Sequence, residues 1–587
     1  MKYIYLISIL LLIISFLLLK KTSKKENIIN SIIYNICFII PYQTLLVYLF
    51  HLLNIDGNLL YYTFVNIFIA LILLILTINK KQIQHYYIQK KELLLYLSLI
   101  FIIFITIFIR FRGFTILTYL SDDSSIHYRM AMNFKRELSY LTTNNSKDLL
   151  YKDFAKAMPA SYINGGFFLK IFENYKPYKV FIIYDMLCLI LSSLLFLSTL
   201  IKLYQNKKNN YLYIFIISIL YSISFPLNNL LYGFFYLGIG IMIINLIFIT
   251  IKEINNNLNK NIYINLIILF ILNLSLFFSY YLFIPNIYLT LGIYYILLYK
   301  QKKINLKTLL KYSIITLILP FIIGFIHFLL PSLFKEGSFV KAIIYEGAIY
   351  DNLTPLYLFI LFIGYLCYKI YHKKLNFNNY TFLNIYIISL YGVIFLILYI
   401  FKIAKLYYFY KLFYLLSLFI AIALSELLIN KKKILYKGSI IIAVLLLFPL
   451  ICGNNNISTL ISKTNIYSYN SNEIFNPNIR FTKKELDIIE YANKNKKICT
   501  LNHEFPIITR TYKKFWYYAL TDTFPIINHS NKGAKQLDTP SIKLQQWRYY
   551  SKHPCLVYFY EDKKPKYQLT EYSILYKNNS GIILKKK

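Results

Sequence analysis

The sequence holds no CxxC pair, no cysteine–histidine spacing of a zinc site, no Walker-type loop and no GxGxxG turn. Those absences argue against an ATPase and against a zinc enzyme. The six cysteines are scattered, most of them inside apolar stretches, and no internal repeat recurs along the 587 residues. Acidic residues are scarce: 25 Asp and Glu stand against 64 Lys and Arg, for a formal net charge of +39. In a soluble chain that excess points to nucleic acid. Here most of the lysines lie in short connections between apolar runs, where they set orientation in a bilayer. Heavy use of Lys, Asn, Ile, Tyr and Phe also reads as a general compositional bias, so no nucleic-acid partner is expected.

What the chain has in abundance is apolar length. It is 58% hydrophobic with a mean hydropathy of +0.52, whereas soluble proteins lie nearer 45–50% apolar. Apolar runs of roughly 17–25 residues, the length that crosses about 30 Å of hydrocarbon, recur throughout. The pattern predicts an α-helical polytopic membrane protein of about fourteen transmembrane helices. The expected spans are 3–19, 30–53, 59–78, 92–110, 179–201, 211–230, 232–251, 262–280, 282–299, 312–334, 355–371, 381–401, 410–430 and 438–452. Two tight pairs are split near Pro226–Asn229 and at Pro285–Asn286.

With these spans the lysines sort to one side. KKTSKK (20–25), the pairs 80–81, 90–91 and 207–208, Lys202, Lys252, Lys260, KQKK (300–303), HKK (372–374) and KKK (431–433) all fall there. The positive-inside rule makes that side cytoplasmic. The alternate connections around Asp56, Pro226 and Pro285 carry no Lys or Arg. The first span resembles a signal sequence, but no small-x-small cleavage site follows it. Two segments too polar to span then lie outside: the loop 111–178 and the region 453–587. The latter alternates a helical pattern (482–496) with strand-like runs (497–503, 555–562 and 572–587), which reads as a small extracytoplasmic α/β domain. Cys499 and Cys555 share it, as a disulfide or as two buried thiols.

The outer loop holds the chemistry. "LSDDSSIHYRMAMNF" (120–134) places two carboxylates, a histidine and an arginine between long apolar runs. If 122–136 is helical, Asp123 and His127 are i,i+4 neighbours on one face and Arg129 is displaced from it. A carboxylate beside an imidazole can act as a base, hold a divalent metal such as Mg or Mn, or cap a helix. Ser121 and Asp122 are good N-cap residues, which explains Asp122 better than Asp123 and leaves His127 unexplained. Arg110 and Arg112 close the fourth span on the outer side, either snorkelling at the headgroups or offering guanidinium forks to phosphate. Residues 147–175 mix Lys and Asp with Phe, Leu and Met and break at Pro159 and Gly165–Gly166. That composition suits an amphipathic helix lying on the membrane.

This arrangement resembles the GT-C glycosyltransferases, which transfer sugars from a polyprenyl-phosphate carrier, and within them the arabinofuranosyltransferase-like proteins of bacterial envelopes. The likeness rests on the D-x-x-x-H cluster of the first large outer loop, the helices after it, the many spans and the C-terminal extracytoplasmic domain. "KIAKLYYFYKLFY" (402–414) is similar to an aromatic, lysine-bearing outer segment before a late span, and "SYYLFIP" (279–285) and "EGAIYDN" (346–352) also sit at outer ends. The resemblance implies a GT-C-like fold at the bacterial cytoplasmic membrane and an outer-face enzyme. Its donor is a polyprenyl-phosphate-linked sugar and its acceptor an envelope glycan, lipid or protein. Asp123 then stands at the place of the catalytic base, with Asp122 and His127 beside it. Lys405, Lys411, Arg110 and Arg112 supply cations for the donor phosphate. Arg129, Tyr407, Tyr408 and Tyr410 contact substrate, unless the tyrosines form an aromatic belt and the lysines snorkel. His127 is either a partner of the base or a metal ligand. The competing reading is a polysaccharide polymerase, a ligase or a lipid-linked glycan transporter. A transporter should carry ionisable residues or helix breaks in mid-membrane, and the spans offer Asp185 and Glu426. A purely structural envelope protein would need none of the carboxylates.

Overall fold

The computed structural model describes residues 1–19, 26–78, 86–117, 119, 123–141, 158–204, 211–223, 225–256, 263–330, 356–372, 377–403, 406–430, 481–495, 499–501, 516–521, 555–560 and 572–587. These residues are overwhelmingly helical. In chain order the helices are α1 (Lys2–Leu19), α2 (Ile28–Leu52), α3 (Leu59–Ile78), α4 (Lys90–Arg110), α5 (Asp123–Glu137), α6 (Pro159–Ile171), α7 (Pro177–Leu203), α8 (Tyr211–Ser222) and α9 (Phe225–Tyr232). They continue with α10 (Phe235–Asn256), α11 (Tyr263–Ser279), α12 (Ile284–Lys300), α13 (Leu306–Ser313), α14 (Leu319–Gly324), α15 (Leu356–Tyr371), α16 (Tyr380–Ile400), α17 (Leu406–Asn430) and α18 (Lys483–Lys494). Eight stretches among the described residues are long and apolar enough to cross a membrane: 28–52, 59–78, 90–110, 177–203, 235–256, 281–300, 306–327 and 380–400. The protein is a multi-pass helical membrane protein. The expected span 438–452 lies outside the described residues.

The helix ends follow from local chemistry. Pro177 opens α7 and Pro285 lies in the first turn of α12, where the missing amide costs nothing and the fixed φ suits the helix. The second tight pair therefore divides earlier than Pro285, at extended Tyr280 and a 3₁₀ turn over Tyr281–Phe283. The first pair departs from expectation. The span 211–230 is not one helix but two short ones, α8 and α9, because the chain turns after Ser222. The span 312–334 is likewise irregular, with α13 joined to α14 through a π-turn at Ile314–Ile318 and a second π-turn following α14 at Phe325–Leu329.

The outer loop also differs from the expected amphipathic helix lying on the membrane, of which 147–157 lie outside the described residues. Helix α5 forms where expected, since 123–137 has no Gly or Pro and ends on Lys135 and Arg136, charges that suit a helix C-terminus. Helix α6 is not amphipathic on a membrane surface. Pro159 starts it, it runs through Gly165–Gly166 without breaking, and nearly all of it is buried. The glycines allow close packing on α5: a Cβ on Gly166 would stand 2.5 Å from the Phe134 ring and 2.8 Å from the Ala131 carbonyl oxygen.

Among the described residues the C-terminal region carries a four-stranded sheet of order β1-β2-β4-β3, with β1 Thr500–Leu501, β2 Cys555–Phe559, β3 Tyr572–Asn578 and β4 Gly581–Lys586. The first pair is parallel and the others antiparallel. The run 572–587, which reads as one strand, is a hairpin, because the Asn578 side chain accepts from the amides of Ser580 and Gly581 and turns the chain. Helix α18 packs on β3 and β4. It is started by a capping box in which the Thr482 side chain accepts from the Glu485 amide and Glu485 reaches back. Cys499 and Cys555 are joined as a disulfide.

Candidate functional site

The C-terminal segments seat on the start of α5. The Phe481 amide donates to the Leu117 carbonyl at 2.9 Å. Trp516 stacks on Tyr119, with ring centroids 5.2 Å apart, and leans on Tyr128. Arg129, which is 1% exposed, donates from Nη1 to the Tyr518 carbonyl at 3.3 Å. A residue expected at the substrate thus ties α5 to the C-terminal region.

Beneath this contact α5 meets the broken α9–α10 segment. Gly233 sits at φ +77°, and a Cβ there would lie 2.4 Å from the Ser124 amide nitrogen. Only glycine allows both that conformation and that approach. The turn brings Phe234, Phe235 and Tyr236 under α5. His127 packs against the rings of Phe235 and Tyr236, at 5.7 and 5.3 Å between centroids. Its Nδ1 lies 3.3 Å from Ser161 Oγ of α6.

The fourth side of this cluster comes from α17, nearly three hundred residues later. Lys411 is 5% exposed and donates from Nζ to the Tyr236 hydroxyl at 2.8 Å. The ammonium also lies within 5.3–5.8 Å of the ring centres of Phe234, Tyr236 and Tyr280, a cation–π environment. Tyr236 therefore bridges His127 to Lys411, and the cation is close enough to act on the imidazole. Burial, and then the Lys411 charge, push the His127 pKa down from 6.5 to about 3. The imidazole is neutral at physiological pH. It can exchange hydrogen bonds but cannot serve as a standing cation, and the same Lys411 charge opposes a divalent cation at this imidazole.

Protonating His127 therefore favours the unfolded chain. Its folded-state pKa is depressed, so stability is constant above about pH 6.5 and falls as pH drops from there toward about 3. The slope contributed by one such group is at most about 1.4 kcal/mol per pH unit. Thermal unfolding between pH 7 and pH 4 should show a shallower acid loss in His127→Gln than in the wild type. Parallel profiles would remove the buried neutral imidazole.

The other expected residues are placed as follows. Asp123 is the first residue of α5, one turn before His127 on the same face. Arg110 ends α4 at 1% exposure, which does not suit a snorkelling guanidinium, while Arg112 follows in an exposed turn at φ +44°. Tyr407, Tyr408 and Tyr410 lie in the first turns of α17; their side chains are outside the described set. Asp122 and Lys405 lie outside the described residues. Among the described residues no group of three or more His, Cys, Asp or Glu is gathered as for a metal ion.

Sequence reasoning did not single out Ser161, Phe235 or Tyr236. The signal was the aromatic run "YGFFY" (232–236) around a glycine at an outer turn, masked by a chain with 60 tyrosines. Nor did it foresee that Tyr119 donates to Asp185, a buried carboxyl of α7. No protein-family model, curated protein or solved structure matches this chain.

Proposed function

We propose that this protein is an integral-membrane glycosyltransferase of GT-C type, taking a sugar from a polyprenyl-phosphate donor to an envelope glycan, lipid or protein acceptor. The observation that carries the reading is the meeting of Lys411 with His127, one helical turn from Asp123. Glycosyl transfer from a lipid phosphate needs a base for the acceptor hydroxyl and positive charge for the departing phosphate. Asp123 is the base, Lys411 is the cation, and the neutral imidazole of His127 is a hydrogen-bonding partner that does not compete for the phosphate. The transfer balances simply: the acceptor oxygen bonds to the anomeric carbon, the bond from that carbon to the phosphate oxygen breaks, and Asp123 takes the hydroxyl proton.

The site lies on the outer face of the bacterial cytoplasmic membrane in this reading, with the full set of about fourteen spans beneath it. Two independent features support that side. The lysine-rich connections fall at the opposite helix ends, and the Cys499–Cys555 disulfide belongs to the segments that seat on α5, as suits an oxidising compartment. Cysteine labelling of intact cells should therefore reach substitutions near 150 and 520 and miss those near 85, 304 and 432. Labelling of position 150 only after lysis would sink the proposal, since the donor is consumed outside.

The second reading, a lipid-linked glycan transporter, draws on Asp185 in α7 and on the helix breaks after Ser222 and at 280–283, features that transporters place at their substrate paths. Transfer that persists in detergent, without sealed vesicles, separates the enzyme from the transporter.

A further inference from the structure

The end of the helix bundle away from the His127–Lys411 cluster holds a cavity. Tyr236 and Asn256 stand near opposite ends of α10, and twenty residues at about 1.5 Å each put them about 30 Å apart. A cavity of about 210 Å³ lies there between the last turns of α7 and α10 and the first turn of α16. Its wall presents Lys202, Lys252, Asn255, Asn256, Asn379 and Thr381, and among the described residues none of the lining is acidic. Glu253 stands close by, but it is buried against Lys202 at 3.3 Å. Helix α16 begins at the wall: the Asn379 side chain accepts from the Thr381 amide at 2.9 Å and fixes the first turn. The positive end of a 21-residue helix is thereby held at the cavity.

We propose that this cavity binds a phosphate group. Lys252, the Lys202 ammonium beside its Glu253 partner, side-chain amides on α10 and at the start of α16, and the N-terminus of α16 converge on a space with no acidic lining among the described residues. A tetrahedral anion accepts from several directions at once and uses such a donor set. The position at the helix ends, where a bilayer's headgroups lie, adds a source for it, because basic pockets between spans take anionic lipid headgroups. The shared chemistry is phosphate, carried either by a lipid or by a soluble molecule. The site stands apart from the His127–Lys411 cluster and does not depend on the function proposed for that cluster.

The test uses the purified full-length protein in two arms, each read by thermal unfolding. In detergent, inorganic phosphate is titrated against chloride at constant ionic strength. In nanodiscs, phosphatidylglycerol is compared with phosphatidylcholine. At least one phosphate source should raise the midpoint of the wild type, and Lys252→Gln should weaken that effect about tenfold in apparent affinity. Lys252→Arg should retain it, as should Lys402→Met. Stabilisation in the nanodisc arm alone identifies a lipid headgroup, and stabilisation by inorganic phosphate identifies a soluble ligand. Should Lys252→Gln fail to fold, Asn256→Ala on the exposed rim reads the same site with a few-fold loss. No stabilisation by either source, or equal stabilisation in the wild type and in the Lys252→Gln or Asn256→Ala variant, overturns the proposal.

Discussion

Asp123→Asn should leave the protein folded and inserted while sugar transfer falls by about 10²–10⁴, the usual contribution of a positioned general base. The substitution keeps the shape at the first residue of α5, so the seating of α5 on Gly233 and on Tyr518 through Arg129 should survive. What it removes is the group that receives the acceptor proton. Asp122→Asn provides the comparison. A residue that only caps α5 costs about 1 kcal/mol of stability when its side chain is lost, and an amide caps nearly as well as a carboxylate. Transfer by Asp122→Asn should therefore stay near the wild-type rate. A larger loss at Asp122 than at Asp123 would exchange their roles, and full activity in both variants would leave the pocket without its base.

Lys411→Met should lower transfer tenfold or more, corresponding to one charge-assisted hydrogen bond of roughly 1.5–3 kcal/mol. Methionine keeps the apolar stem in its bed of Phe234, Tyr236 and Tyr280, so the change is chiefly in charge. Lys402 is the internal control, because it is exposed in the turn before α17. Lys402→Met should do little. A second readout distinguishes charge from packing. Lys411 is the second cause of the depressed His127 pKa after burial, so Lys411→Met should let that pKa rise and should shorten the acid range over which stability is lost. Equal, mild effects on transfer at Lys402 and Lys411, with no change in the acid profile, would reduce the segment to an interfacial belt. The phosphate cation would then have to come from elsewhere.

The amount of this structure legible in the sequence differs by level. Apolar runs report helices directly, because a helix in hydrocarbon must satisfy its own backbone and show an apolar surface all round. The expected spans from 3–19 to 59–78 therefore fall on α1 to α3 with only small shifts at their ends. The breaks were less legible. Pro226 and Pro285 marked the two tight pairs, but proline is tolerated in a first turn, so the chain breaks at neighbouring residues instead. The misreading of α6 has a different origin. Its Gly165–Gly166 pair looks like an interruption in one dimension and is a packing surface in three, set by Phe134 and Ala131 on another helix.

The sequence by itself determined that the chain is a multi-pass helical membrane protein with a small mixed region at its C-terminus, because hydropathy and strand alternation act over a few consecutive residues. It also determined that Asp123 and His127 share a helical face, since spacing alone sets that. Only the tertiary structure decided what stands opposite them. Lys411 reaches His127 through Tyr236, Arg129 donates to the Tyr518 carbonyl of the C-terminal segment, and Cys499 pairs with Cys555. These contacts join residues between 56 and nearly 400 positions apart. They depend on how α5, α10 and α17 pack, and packing is settled by shape at close approaches such as Gly233 against Ser124, which no local pattern in the sequence records.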